Sequence, residues 1–172
     1  MKNIWIILVV GGLLTLSTTT FAQTTLKLGH VDINQILSSL PQRDSAAVIM
    51  EKETKEVQET FNQMSTEYNK LYDDYEKSAS TFTEVVKKAK EADLLDKQKR
   101  LEEFQQTASS KLDQRNADLI KPILDKILKA VDKVASENGF TYILDVSKGS
   151  VVYTSKDSQN INPLVLKILK PL

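Results

Sequence analysis

The chain has 172 residues with 23 basic and 23 acidic side chains, so its formal net charge is zero. Without the first 22 residues the balance is 22 basic to 23 acidic, which argues against a nucleic-acid-binding protein because such proteins normally carry a basic face. The chain contains no cysteine, so disulfides and a lipid-modified cysteine are excluded, and an exported form must be stabilised by packing or oligomerisation.

The first 22 residues are predicted to be a secretory signal peptide. Lys2 supplies a positive charge, residues 4–16 form an apolar run, and small residues precede a cleavage site expected between Ala22 and Gln23. The alternative interpretation is a membrane anchor, but the apolar run is short for a membrane-spanning helix. We therefore expect an exported protein, which in a bacterium with two membranes resides in the periplasm.

Short segments near both ends of the remaining chain are typical of strands, because they are rich in β-branched and aromatic residues. These segments are residues 26–33, 140–146 and 151–154. The first is followed by a short helix predicted over 34–40 and ended by Pro41. The last two flank a turn at 147–150 and are expected to pair as a hairpin. Asn162 and Pro163 are expected to begin a short final helix.

Residues 41–138 are predicted to form a long antiparallel helical hairpin. Its first helix is expected to begin between Ser39 and Asp44. Its apolar residues alternate in steps of three and four, which indicates a coiled-coil seam. These seam positions are Ala47, Met50, Thr54, Val57, Phe61, Met64, Tyr68, Leu71, Tyr75, Ser78, Phe82, Val85 and Ala89. The returning helix carries Leu94, Leu101, Phe104, Ala108, Leu112, Leu119, Ile123, Ile127, Ala130 and Val134.

The turn between the two helices is predicted near Ser78–Thr81, where serine and threonine cluster, although any position from 77 to 93 fits the seam. Pro122 is expected to kink the returning helix or to divide it. Gly139 is expected to end that helix in a left-handed conformation. The overall prediction is an α+β fold in which a small β-rich body (23–40 and 139–172) carries a helical arm (41–138).

Side chains that could support catalysis or bind a metal are sparse. After residue 22 the chain has one histidine, His30, and no cysteine, so neither a nucleophile–histidine pair nor a zinc site is predicted. The isolated glycines form no phosphate-binding loop. The many carboxylates follow helix surface positions and are best explained as solvated faces. We therefore predict a protein that is not an enzyme and has no cofactor.

Aromatic residues concentrate on the arm, which contains six of the nine that follow residue 22. Most are expected to fill the seam. Tyr72, Val86, Leu95 and Ile120 lie beside it and predict an apolar surface for interaction. The resulting candidate contact residues are Phe61, Tyr68, Tyr72, Tyr75, Phe82 and Val86. A basic cluster near the arm tip is formed by Lys87, Lys88 and Lys90.

The order of these elements resembles the Skp/OmpH family of periplasmic chaperones. The segment KLGHVDINQIL resembles the family's first strand and short helix. The block from Ile123 to Leu169 resembles its C-terminal part, with Asp145, Tyr153 and Asp157 at positions of the family pattern. The resemblance implies a homotrimer whose strands build a β-barrel body. Its three arms would surround a cavity that holds unfolded outer-membrane proteins without ATP.

One departure from the resemblance concerns charge. Well-known members are strongly basic, whereas residues 41–138 carry 17 basic and 20 acidic side chains. The resemblance therefore assigns no lipopolysaccharide site to particular residues here, and only a weak membrane or lipopolysaccharide contact is left open. The alternative hypothesis is a coiled-coil spacer or adaptor of an envelope complex, which would bind one folded partner at its tip.

Overall fold

Two long helices and a small sheet make up the part of the chain that the computed structural model describes, residues 26–170. The predicted signal peptide lies outside these residues. In chain order the elements are β1 (Leu28–Val31), α1 (Ile33–Ser38), α2 (Pro41–Ser78), a 3-10 turn (Ala79–Thr81), α3 (Glu84–Glu137), β2 (Tyr142–Asp145), β3 (Gln159–Asn160) and α4 (Asn162–Leu169). The predicted α+β fold, in which a small sheet carries a long helical hairpin, is confirmed.

The sheet is built around β1, with β2 on one side and β3 on the other. Both pairings are parallel, with Leu28 opposite Tyr142 and His30 opposite Leu144 in the longer one. Parallel neighbours need a long crossover connection. The whole helical arm provides the connection from β1 to β2, and residues 146–158 provide the one from β2 to β3.

The predicted hairpin between residues 140–146 and 151–154 is wrong. Residues 151–155 form no regular element in the structure, and Val152 and Tyr153 are largely exposed. The third strand is instead Gln159–Asn160, which has no β-branched or aromatic residue to signal it. The physical reason is that Gln159–Asn160 takes the second edge of β1, so the connection after β2 has to cross to the other side of β1 and does not turn back along β2 as a hairpin.

Local signals at the helix ends explain where the arm begins and ends. Leu40 is extended, as expected for a residue that precedes proline, and Pro41 opens α2 within the predicted window. The Thr83 side chain accepts a hydrogen bond from the backbone N–H of Val86 at the start of α3. Gly139 follows the helix with φ of +66°, which confirms its predicted left-handed conformation.

The turn at the arm tip is confirmed near the predicted position. α2 ends at Ser78, the 3-10 turn follows, and α3 begins at Glu84. The alternative in which Pro122 divides the returning helix is wrong, because α3 runs without interruption from Glu84 to Glu137. Pro122 is exposed while Ile123 is buried, so the proline ring lies at the helix surface, where it lines a shallow groove beside Ala46. Across residues 26–170 no helix has a stretch long and apolar enough to cross a membrane.

The hydrophobic core lies where the arm joins the sheet. Its buried members are Val31, Ile36, Leu40, Ala46, Ile123, Ile127, Ala130, Val134, Ile161 and Val165. They come from β1, α1, both arm helices and α4, together with Leu40 before α2 and Ile161 before α4. Gly29 lies under this core at a close approach, because a β-carbon there would come within 2.9 Å of Ile143 and Phe140 side-chain atoms. The base of the arm is therefore part of the body's packing.

A buried amide side chain links α4 to α1 and to the residue that precedes α1. Asn162 at the start of α4 is almost fully buried and accepts a hydrogen bond from the backbone N–H of Asp32 at 2.9 Å. Its side-chain N–H donates to the Gln35 side chain in α1. The Asp32 carboxylate in turn accepts from the Gln35 backbone N–H at 2.8 Å and caps α1. This polar network satisfies the buried amide and fixes α4 against α1.

Candidate functional site

The arm is the most prominent surface of the protein. The 38 residues of α2 span about 57 Å at the α-helical rise of 1.5 Å per residue, and the 54 residues of α3 run back past it into the core. Within residues 26–170, the core where the arm joins the sheet contains no hairpin residue between Ala46 and Leu119. Most of the surface of both helices is therefore available for contact with another molecule.

The predicted seam is confirmed along most of the hairpin. The residues from Met50 to Ser78 at seam positions are half-buried, except for Thr54, which is exposed. On α3 from Leu94 onwards, Leu94 and Ala108 are buried, and the other predicted positions are buried or half-buried. The register fails at both ends of the hairpin: Ala46 is buried instead of Ala47, and the predicted seam positions Val85 and Ala89 are both exposed because the turn resets the helical phase.

The aromatic candidate residues fall into two groups. Phe61, Tyr68, Tyr75 and Phe82 are half-buried at the seam, and the Tyr75 ring lies 6.3 Å from that of Phe82, centroid to centroid, at the tip. Tyr72 lies outside the seam and stacks on Tyr68 at 6.3 Å. The seam group therefore holds the two helices together, whereas Tyr72 presents its ring to the surroundings.

Two phenol groups of the upper arm donate hydrogen bonds to carboxylates. Tyr75 donates to Glu91 at 2.6 Å and links the two helices, and Tyr72 donates to Glu76 at 3.0 Å on its own helix. These bonds to charged acceptors raise the pKa of both phenols above the usual value. The two tyrosines therefore act as neutral hydrogen-bond donors and provide no base.

Exposed apolar side chains cluster on the outer part of the arm. Tyr72 is 42% exposed, Val86 40%, Leu95 67% and Val85 79%. Tyr72, Val86 and Leu95 were predicted to lie beside the seam, and Val85 was missed because the seam pattern had assigned it inward. Ile120, predicted with this set, is half-buried and packs against the core instead. The exposed set on this part of the arm therefore comes from both helices, with Tyr72 before the turn and the other three residues after it.

Shallow grooves flank the seam halfway along the arm. One has a volume of about 530 Å³ and is lined by residues that include Val57, Phe104, Ala108 and Leu112. The other, of about 260 Å³, shares these four residues and adds Phe61. Small side chains at Thr54 and Ala108 leave this space, so the phenyl ring of Phe104 can be reached from both sides of the hairpin.

The predicted basic cluster lies at the start of α3 beside the exposed valines. Lys87 pairs with Glu84 at 3.6 Å, and Lys88 and Lys90 are exposed. Further along the arm, Lys97 pairs with Glu67 across the hairpin at 3.9 Å. Most of the other ion pairs between residues 26 and 170 join side chains three or four positions apart on one helix, which neutralises most of the arm surface.

Groups capable of catalysis are not brought together in the described structure. Among residues 26–170 no three His, Cys, Asp or Glu side chains are placed to hold a metal ion. His30 lies on the central strand, and its Nδ1 is 2.7 Å from the Ser158 hydroxyl. No carboxylate orients that imidazole, so the pair lacks the third member that activates a serine nucleophile.

Comparisons with known proteins match this architecture. Chaperone protein Skp of Photorhabdus luminescens is 25% identical over 149 residues, covering 87% of this chain and 88% of the relative. Chaperone protein Skp of Pectobacterium atrosepticum is 27% identical over 161 residues, covering 91% and 93%. A crystal structure of an OmpH-like protein from Caulobacter crescentus superposes with a TM-score of 0.70 at 10% identity, covering 83% of this chain and 82% of that one.

A family profile decides the assignment, since it spans nearly all of the described chain. The profile described as "Outer membrane protein (OmpH-like)" matches residues 27–169. This range includes β1, the complete arm and α4, so the match covers the sheet, the core and the exposed helices together. The chain belongs to the OmpH-like family.

Proposed function

We propose that the protein is a periplasmic chaperone that holds unfolded outer-membrane proteins and prevents their aggregation without ATP. In this proposal the segment 1–22 directs export. Three copies assemble through their sheets, and the client lies between the three arms. Support comes from membership of the OmpH-like family and from two relatives named Chaperone protein Skp.

The observation that carries the proposal is the exposed apolar set on a charged, protruding arm. Tyr72, Val86 and Leu95 are available on α2 and α3, and neighbouring Val85 is exposed almost completely. Exposed apolar surface of this kind usually marks an interaction site. An unfolded membrane protein presents apolar side chains without fixed shape, and a long convex helical surface can contact many of them without a defined pocket.

Assembly of several copies is supported by the sheet itself. Leu28, Tyr142 and Leu144 are exposed on the face of the sheet that points away from the core. β2 is an edge strand, and the β-prone segment 151–155 has no strand partner in a single chain. Such edges and apolar faces are normally covered. A ring of three copies would cover them and enlarge a core that is small for a free-standing body.

The direct test is a light-scattering assay. A β-barrel membrane protein denatured in urea is diluted into buffer with equimolar trimer, and aggregation is followed over time. We expect scattering to be suppressed. A spacer protein would instead leave the aggregation unchanged and bind a folded partner.

Paired variants separate the contact surface from general destabilisation. Tyr72→Ser with Val86→Ser should weaken client binding, measured by fluorescence quenching, while sedimentation still shows a trimer. The matched control is Val48→Ser with Leu128→Ser, which removes two exposed apolar side chains near the arm base. Equal loss in both double variants would contradict a client surface near the tip.

Charge should matter less than apolar area, because the arm is nearly neutral. Changing Lys87, Lys88 and Lys90 together to Glu should cost less affinity than the Tyr72/Val86 double change. Binding should also persist at about 0.5 M salt, where exposed charges are screened beyond a few ångströms. If the lysine variant loses most of its affinity and the apolar variant none, electrostatic capture dominates and this part of the proposal is wrong.

A further inference from the structure

The outer face of the sheet, formed by Leu28, His30, Tyr142 and Leu144, contains a single group that can gain charge in mild acid. Register places these four side chains on one face, opposite the buried Gly29 and Val31. His30 lies on the central strand. Imidazole side chains change charge between about pH 5 and pH 8, whereas tyrosine remains neutral throughout that range.

A groove of about 310 Å³ runs over His30 on this face. β1 and Leu144 form its floor, and the segment 151–155 with Ser158 and Gln159 forms its walls. Among residues 26–170, those that line the groove carry no carboxylate and no amino or guanidinium group. Lys156 and Asp157 precede Ser158 but are exposed and do not line the groove. A positive charge on His30 would therefore have no acidic partner within the groove.

The hydrogen bond between His30 and Ser158 also depends on the charge of the ring. When the ring is neutral and Nε2 carries its proton, Nδ1 accepts a hydrogen bond from the Ser158 hydroxyl, over an Nδ1–Oγ distance of 2.7 Å. In the charged ring both nitrogens are donors, so the hydroxyl has to accept and must direct its own proton elsewhere. Protonation thus reorganises this link between β1 and the loop before β3.

We propose that His30 makes the assembly of this chain sensitive to pH, with a second copy covering the outer face only while the imidazole is neutral. This inference rests on the trimer of the proposed function. Leu28, Tyr142 and Leu144 make this face apolar, the β-prone segment 151–155 beside it pairs with no strand in the described residues, and both features fit another copy of the same face better than a charged client. Covering a charged imidazole that has no acidic partner carries a large desolvation cost.

The size and sign of the effect follow from proton linkage. Separated chains would bind one more proton per imidazole than the assembled form, so dissociation is favoured as pH falls. Each such proton raises the dissociation constant of the assembly about tenfold for each pH unit of acidification. Three imidazoles in a trimer raise it by up to about a thousandfold per pH unit.

Two carboxylates also lie near the sheet. Asp32 caps α1 through its carboxylate, and Asp145 accepts a hydrogen bond from the backbone N–H of Ser147. Burial opposes the charge on Asp145, but hydrogen bonding from Ser147 and from the Ile33 backbone N–H, together with the charge of Lys148, outweighs it and lowers the pKa of this carboxyl below its usual value. Asp145 therefore remains ionised at pH 5.5, and a transition above pH 5 does not report on it.

The test is sedimentation velocity of the protein from Gln23 onwards at pH 7.5 and pH 5.5, over a range of micromolar concentrations. The wild type should be a trimer at pH 7.5 and should dissociate at pH 5.5. His30→Gln, which can still bond with Ser158 but does not titrate, should remain assembled at both. His30→Leu is a second non-titrating variant in case the first folds poorly. Ser158→Ala keeps the imidazole and should retain the pH dependence.

The outcomes distinguish the two proposals. A wild type assembled equally at both pH values, or a His30→Gln trimer that dissociates at pH 5.5 as the wild type does, overturns the role of His30 and leaves the trimer standing. A wild-type monomer at pH 7.5 overturns the trimer and the role of His30 with it. If both His30 variants fail to fold, the pH dependence of the wild-type dissociation constant decides, since a slope near zero between pH 7.5 and 5.5 refutes the inference.

Discussion

Replacing Ile127 by alanine tests whether the base of the arm and the sheet share one core. Ile127 belongs to α3, has no exposed surface and lies in the cluster that joins β1, α1 and α4. The change removes three buried carbon atoms and leaves a cavity, which typically costs about 2–5 kcal/mol of unfolding free energy. Leu128, the next residue on the same helix, is 51% exposed. Leu128→Ala should therefore change stability by about 0.5 kcal/mol or less.

Urea unfolding followed by circular dichroism measures this difference. With a denaturant slope of about 2 kcal/mol per molar, the Ile127→Ala midpoint should fall by about 1–2.5 M. All samples need one protein concentration, because assembly shifts apparent stability by mass action. Similar midpoints for the Ile127 and Leu128 variants would refute the reasoning, since they would show that the base of α3 unfolds independently of the core.

The remaining predictions concern the seam, the buried amide and one carboxylate. Leu71→Asp should lower the melting temperature of the arm signal by placing an unpaired charge in the seam, whereas Lys70→Asp should not; equal melting would show that the seam register is wrong. Asn162→Ala should cost about 1–3 kcal/mol in urea unfolding, because a buried backbone N–H loses its acceptor; an unchanged midpoint would contradict the network. Because Asp145 has a lowered pKa from its bonds to Ser147, its stabilisation is present above about pH 4 and is lost as pH falls further. The stability difference between wild type and Asp145→Asn should therefore shrink between pH 7 and pH 3 in thermal melts, and a constant difference would contradict it.

The helical hairpin could be predicted from sequence because each of its signals is local. The three–four spacing of apolar residues reports burial on one helix face, and the serine–threonine cluster marked the turn close to its observed place. The sequence did not predict which residues of α3 face the seam just after the turn. The three–four spacing continues across the turn by chance, so the pattern gives no sign that the helical phase has changed. Val85 fits that pattern and yet is exposed.

The pairing of the strands was harder to predict from sequence, because it depends on partners distant in the chain. The segment around Val152 has stronger β-propensity than Gln159–Asn160, but the latter occupies the free edge of β1. Propensity measures fit to a pleated, half-buried surface and not which edge is available. The sequence also did not separate the candidate contact residues into seam residues and exposed residues. The structure makes that separation, with Tyr72 outside the seam and Tyr75 within it.

The insertion of the complete arm between β1 and β2 has a consequence for the order of folding. The strand that holds the centre of the sheet is made first, but its neighbour follows more than a hundred residues later, as the hydrogen bond from Lys27 to the Asn138 carbonyl illustrates. Closing so large a loop in a disordered chain is slow, whereas local helix growth and hairpin zipping are fast. The hairpin therefore shortens the effective loop before the strands meet. A chain emerging through a translocation channel would complete its arm first and its sheet last, once α4 has been released.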